Sequence, residues 1–255
     1  MPMLVFPMTS PRPSLAVAGA FLVAWGTLGL LDGACANAPS LVIVQNQIPS
    51  VDMTTGKCTV STDETVSNVG PGVFDVALDH PRPYFVYPLI QSRLPSVTTG
   101  GVERNTIALH AVRVTIRSPA GIDPGWEADC PASTDWPQAA ALDPAQARAL
   151  VVQGFQPCHA ARLQSLIGTQ PVFFTLELTV VADRYGDTLL SAPFPFGVQV
   201  CAGCLQSMFP NTPTCATAPN PNPFLGNPCN IAQDGPAVLC CVDAQGATVC
   251  PAPGG

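Results

Sequence analysis

The sequence predicts a mainly β protein: a β-sandwich-like domain with a small helical insertion and a disulfide-rich C-terminal tail. Three observations carry that expectation. Several stretches alternate apolar and polar residues with the period of two that half-buried strands require. The chain of 255 residues holds 29 prolines and 21 glycines against only 11% charged residues, which favours short strands and many turns over long helices. Of its eleven cysteines, seven fall between Cys201 and Cys250.

The chain opens on an apolar run from Ser14 to Leu31, preceded by Arg12 as its only charge and followed by Asp32-Gly33-Ala34-Cys35-Ala36. Small residues after such a run, with no basic cluster behind them, read as a cleaved secretory signal rather than a retained membrane helix. Two cleavage chemistries compete. Gly33-Ala34-Cys35 resembles the end of a lipobox, so residues 1–34 would be removed and Cys35 lipidated, although Asp32 stands where that motif carries an aliphatic residue. Ala34-Cys35-Ala36 also fits ordinary signal peptidase, which would remove residues 1–36.

Either reading takes Cys35 out of the fold and leaves ten cysteines: Cys58, Cys130, Cys158, Cys201, Cys204, Cys215, Cys229, Cys240, Cys241 and Cys250. An even set in an exported chain is read as a disulfide framework, since that compartment lets bridges persist. Three of the ten lie upstream of residue 201 and seven from it onward, so complete pairing demands at least one bridge between domain and tail. Adjacent Cys240 and Cys241 should anchor different segments, because consecutive α-carbons stand about 3.8 Å apart and a disulfide needs roughly 4.4–6.8 Å.

A domain over 39–200 and a cysteine-rich tail over 201–255 follow from the change of composition. Leu41 to Val44 is a short strand candidate. Phe74, Val76 and Leu78 alternate with Asp75 and Ala77 as a half-buried strand would. Tyr84 to Ile90 reads as extended, and Pro81, Pro83 and Pro88, which cannot donate to a ladder, place it at a sheet edge or in a connection.

From Ile107 to Arg117 the apolar parity switches near His110 and Ala111, so a β-bulge there would keep both apolar sets on one face. Val172 to Ala182, a turn over Asp183–Asp187, and Phe194 to Val200 read as a hairpin. Helix is expected only between 143 and 168. Asp143-Pro144 would start one over Ala145 to Val152, and a second would run from about His159 to Ile167 and end at Gly168.

The net charge of −7 with Lys57 as the single lysine lacks the basic footprint that phosphate backbones require, so nucleic acid is not expected as a partner. Cys201-Ala202-Gly203-Cys204 has the spacing of redox and zinc motifs. It ends a hairpin rather than opening a helix, however, and no second C-x-x-C accompanies it, so a structural bridge is expected. Asp183 and Asp187 lack the spacing of a calcium loop.

Nucleophile elbow, P-loop, H-E-x-x-H and dinucleotide motifs are missing from the sequence. His80, His110 and His159 are the histidines from which a dispersed triad would have to be built. Pairs such as Asp63-Glu64 and Glu127-Asp129 lie in polar, turn-like stretches. No catalytic, cofactor or metal residue is therefore assigned.

Ile43-Val44-Gln45-Asn46-Gln47, Tyr87-Pro88-Leu89-Ile90, Arg104 to Leu109 leading to Ala111 and Val112, and Phe196 to Cys204 occur in an order that resembles uncharacterised predicted outer-membrane lipoproteins of bacteria. The resemblance implies a lipid-anchored, β-rich protein and brings no known activity. The expectation is an exported cell-envelope lipoprotein, in the outer membrane or else periplasmic or extracellular. It would act as a non-enzymatic structural or interaction module and meet an envelope protein or surface ligand. A secreted or anchored hydrolase and a periplasmic thiol oxidoreductase are the rival classes.

Overall fold

The computed structural model describes residues 39–52, 54–55, 57–67, 70–77, 82–168, 170–208, 214–216, 229, 233–235 and 238–249. The apolar run, Cys35, Leu78, His80, Pro81 and Cys250 lie outside them. Residues 38–255 group as one compact unit. Among the described residues the structure is mainly β with one helix.

In chain order the first strands are β1 (Leu41–Asn46), β2 (Pro49–Val51), β3 (Cys58–Val60), β4 (Gly72–Asp75), β5 (Tyr84–Val86) and β6 (Pro88–Ser92). There follow β7 (Thr98–Thr99), β8 (Val102–Glu103), β9 (Ile107–Arg117), β10 (Ser133–Leu142), β11 (Ala147–Ala149), β12 (Val152–Phe155) and the helix α1 (Pro157–Leu166). The C-terminal part holds β13 (Val172–Arg184), β14 (Asp187–Leu190), β15 (Phe194–Cys201), β16 (Gln206–Met208), β17 (Val238–Val242) and β18 (Thr248–Val249).

One layer is a six-stranded sheet in the order β10-β9-β13-β15-β4, with β14 folded onto the end of β13. The second layer comes from two extended runs, each interrupted once. β6 lies between β1 and β11, and β5 pairs with β12. Leu150 donates its N–H to the Pro88 carbonyl across the break. Between the layers, Val112, Val114, Ile116, Phe174, Leu176, Leu178 and Val180 join Leu41, Tyr84, Val86, Ile90, Val152 and Phe155 in one buried cluster. Phe155 stacks on Phe74 at 5.6 Å and meets Phe174 edge-on at 5.9 Å, geometries that suit the ring quadrupoles.

The parity switch in β9 is a bulge, as the sequence predicts. Val181 pairs with Ala111 and Ala182 with Leu109, leaving His110 as the extra residue. Ile107, Leu109, Val112 and Val114 are thereby all buried on one face. The expected hairpin is present too: Arg184 pairs with Asp187 around Tyr185 and Gly186, both at positive φ, as a two-residue type I′ loop requires.

Four local expectations need correction. No helix covers 145–152. Gln146 donates its N–H to the Asp143 carbonyl and Ala145 takes φ 59°, so Asp143-Pro144 makes a tight turn, and the residues after it pair as β11 and β12. Propensity for helix loses here to the open edges of β5 and β6.

The Tyr84–Ile90 stretch is not wholly peripheral either, since β6 is the central strand of its sheet with Leu89 and Ile90 both buried. Pro88 is tolerated as its first residue. Asp75, expected on the outward parity of its strand, is buried. The second helix is present but starts earlier, at Pro157, with proline in the first turn where a missing N–H costs nothing. A strand without an assignment in sequence, β10, forms the sheet edge and carries Pro137, a position that edge strands allow.

Close packing fixes two glycines. A β-carbon on Gly72 would lie 1.9 Å from Tyr84 Oη and 2.9 Å from its Cζ, whereas one on Gly154 would meet Leu176 Cδ1 at 2.5 Å. Tyr84 is a rigid buried ring and the leucine methyl can rotate away. Gly72→Ala is therefore expected to destabilise the protein by about 3 kcal/mol, the upper part of the range for overpacking. Gly154→Ala should cost less, and comparison of urea unfolding midpoints checks both the loss and the order.

Candidate functional site

Among the described residues, chemistry-bearing side chains gather at four places, and the chain's own backbone takes up most of their capacity. Cys130 and Cys158 are bridged, with α-carbons 5.9 Å apart. Next to them His159, at the third position of α1, accepts the N–H of Gln156 on Nδ1 at 3.0 Å and donates from Nε2 to the Pro131 carbonyl at 3.1 Å. Both ring nitrogens are thus engaged and the neutral tautomer is set. Burial lowers its pKa, and hydrogen bonding to backbone only partly opposes that shift. Trp126 packs edge-on against the ring at 4.8 Å, and Arg162 holds the same loop through Glu127, 2.8 Å away, and the Gly125 carbonyl.

At the second place Cys201 and Cys204 are bonded to each other. The buried Asp75 carboxylate organises their loop. Its Oδ1 accepts N–H groups from Ala77 and Gly203 at 3.0 and 2.8 Å, and its Oδ2 accepts that of Leu205 at 2.9 Å. Asp75 with Cys201 and Cys204, and His159 with Cys130 and Cys158, each bring three potential ligand atoms within 4.8 Å. In both sets the sulfurs are consumed by a disulfide, whereas a metal would need thiolates. Reducing Cys201–Cys204 would also release a thiolate beside a buried carboxylate, which like-charge repulsion opposes.

The third place is exposed. His110, thrown outward by the bulge, contacts Asp183 with Nε2 to Oδ2 at 2.7 Å. It belongs to a polar ladder on the solvent face of the large sheet, where Arg113 pairs with Asp135 through two bonds and Arg117 pairs with Glu177. Exposed pairs of this kind are screened by solvent and add little to stability.

The fourth place joins the C-terminal segment to the core. Asp234, at φ 57°, accepts on Oδ1 both the Val73 N–H at 2.8 Å and the Tyr84 hydroxyl at 2.9 Å. Its neighbour Gln233 bridges Phe74, accepts the Phe85 N–H and donates to the Pro83 carbonyl, covering the free edge of β4 and reaching β5. Burial raises the pKa of Asp234 above the usual carboxylate value despite its two donors. Burial together with the Asp234 charge keeps the Tyr84 phenol neutral and pushes Tyr87 up to about 12.

Two more bridges complete this region, Cys58–Cys229 and Cys215–Cys241, and Cys240 is disulfide-bonded as well. Cys240 and Cys241 therefore serve different bonds, and Cys58–Cys229 is the cross-link between domain and tail that cysteine parity demands. It closes a separation of 171 residues, which in the chain-entropy account stabilises the fold by about 5 kcal/mol. A cavity of about 220 Å³ opens beside it, lined by Cys58, Val60, Phe85, Tyr87, Val151 and Cys229.

The cysteines are legible in the sequence, whereas the roles of Asp75 and Asp234 and the cavity are not. The signal for Asp234 was an Asp-Gly pair in a tail where no core was visible, and nothing local distinguishes it from a solvated turn.

The chain matches no known protein-family model, and no curated protein is similar to it in sequence.

The raised pKa of Asp234 has a defined effect on stability. Between the unfolded carboxylate value and the higher folded one, the native state holds the proton that the unfolded chain has lost, so stability falls as pH rises through that window. Asp234→Asn keeps an acceptor for Val73 and Tyr84 and removes the titration. Its stability relative to the parent protein should rise as pH increases from 4 to 7, measured by urea unfolding at each pH.

Proposed function

We propose that this chain is an exported cell-envelope protein, anchored through a lipid on Cys35, that acts as a non-enzymatic structural or interaction module. The observation that carries the reading is the disulfide framework. Nine described cysteines are oxidised, including a cross-link between domain and tail, and cytosolic thiol chemistry would keep such residues reduced. The engagement of His159 and Asp75 by backbone groups adds support, since each serves a loop or a helix start. The module would work by surface contact, with the bridges holding its loops in one shape.

A hydrolase is the second reading, favoured by the His110–Asp183 pair. That pair supplies a histidine with an orienting carboxylate, two parts of the nucleophile-activating arrangement. It stands on the open sheet face, outside the residues that line the cavity beside Cys58. Esterase or peptidase activity that disappears in Asp183→Asn would replace the interaction reading with this one.

The direct test is the intact mass of the native protein taken from its own envelope without reductant. The expected mass begins at an acylated Cys35 and lacks ten thiol hydrogens. A lipid-free mass beginning near Asn37 would remove the anchor, and free thiols would remove the framework.

A further inference from the structure

The Cys58–Cys229 bridge differs from the other described bridges in its setting. Cys130, Cys201 and Cys241 are each buried, at 0%, 3% and 0% exposure, and so shield one sulfur of their bonds. Cys58 is exposed and Cys229 half-buried, and both line the cavity. The rest of the lining is apolar: Val60, Phe85, the ring of Tyr87 and Val151, which is 53% exposed at the rim. The Tyr87 hydroxyl is turned onto the Cys229 carbonyl at 3.3 Å. A bridge that solvent can reach is open to attack by a thiolate, and about 220 Å³ of apolar space beside it suits an aromatic ring or short alkyl chain on the attacking molecule.

We infer that Cys58–Cys229 is a thiol-exchange site for a small thiol bearing an apolar group, which the cavity seats against the bridge. The incoming thiolate attacks one cysteine sulfur. The S–S bond breaks, and its electron pair leaves on the other sulfur, which takes a proton from water. A second thiol molecule then attacks the mixed disulfide and departs as the disulfide of the apolar compound. Two electrons pass from the two thiols to the bridge, and Cys58 and Cys229 are left as thiols. The like-charge arrangement at Asp75 works against the same chemistry at Cys201–Cys204.

The test uses the full folded chain with limiting benzyl mercaptan or 2-mercaptoethanol, a neutral polar thiol of similar acidity. Exchange is quenched by alkylation and the modified cysteines are mapped by mass spectrometry. Cys58 and Cys229 should be labelled before any other pair. The apolar thiol should open them on the order of tenfold faster, the gain from burying a couple of methylene-sized groups. Val151→Asn, which removes the apolar contact without adding a charge, should erase that advantage while leaving the rate with the polar thiol unchanged. The inference is overturned if another bridge opens first, if the two thiols act at equal rates, or if Val151→Asn leaves the advantage intact.

Discussion

A carboxylate taken out of water is tolerated only where protein donors replace its hydration, and two such carboxylates hold this fold together in opposite directions. Asp75 belongs to the domain and accepts the N–H groups of Gly203 and Leu205 from the chain beyond the last long strand. Asp234 belongs to that later chain and accepts the N–H of Val73 and the hydroxyl of Tyr84 from the domain. Each is satisfied only when the other segment is in place. The cysteine-rich region therefore forms part of the same folded unit as the sandwich, and Cys58–Cys229 makes the connection covalent.

The same clasp explains the packing beneath it. Tyr84 reaches Asp234 across the space above Gly72, and a side chain at that position would displace the ring. Tyr84 also contacts Phe74, which stacks on Phe155, so the polar contact at the edge is continuous with the aromatic centre of the core. Gln233 covers the edge that β4 would otherwise expose, a position where an unpaired strand invites association with another chain. Burial of polar side chains at this edge thus sets the geometry of the apolar interior.

The chemistry-bearing residues divide by setting. His159 and Asp75 lie inside and Asp234 is half-buried, and all three meet backbone donors or acceptors, which fixes their orientation and limits what else they can bind. His110 and Asp183 lie outside, paired with each other across a bulge. The Cys58–Cys229 bridge is intermediate, structural in its span yet reachable from solvent through an apolar hollow. That combination makes it the place where the oxidised framework meets small molecules.

The sequence alone determined the fold class, the long strands β9, β13 and β15, the place of the turn after β13, and the bulge at His110, because each rests on short-range periodicity or turn chemistry. Cysteine parity likewise required a bridge between domain and tail without naming its ends. Only the tertiary structure decided that a turn and the strands β11 and β12 stand in place of a helix over 145–152, since an Asp-Pro pair suits both a helix start and a tight turn and the open edges of β5 and β6 select the latter. It also decided that Asp75 is buried and that Asp234 is half-buried against the domain. A carboxylate's burial depends on donors supplied from more than a hundred residues away, and local pattern carries no record of partners at that separation.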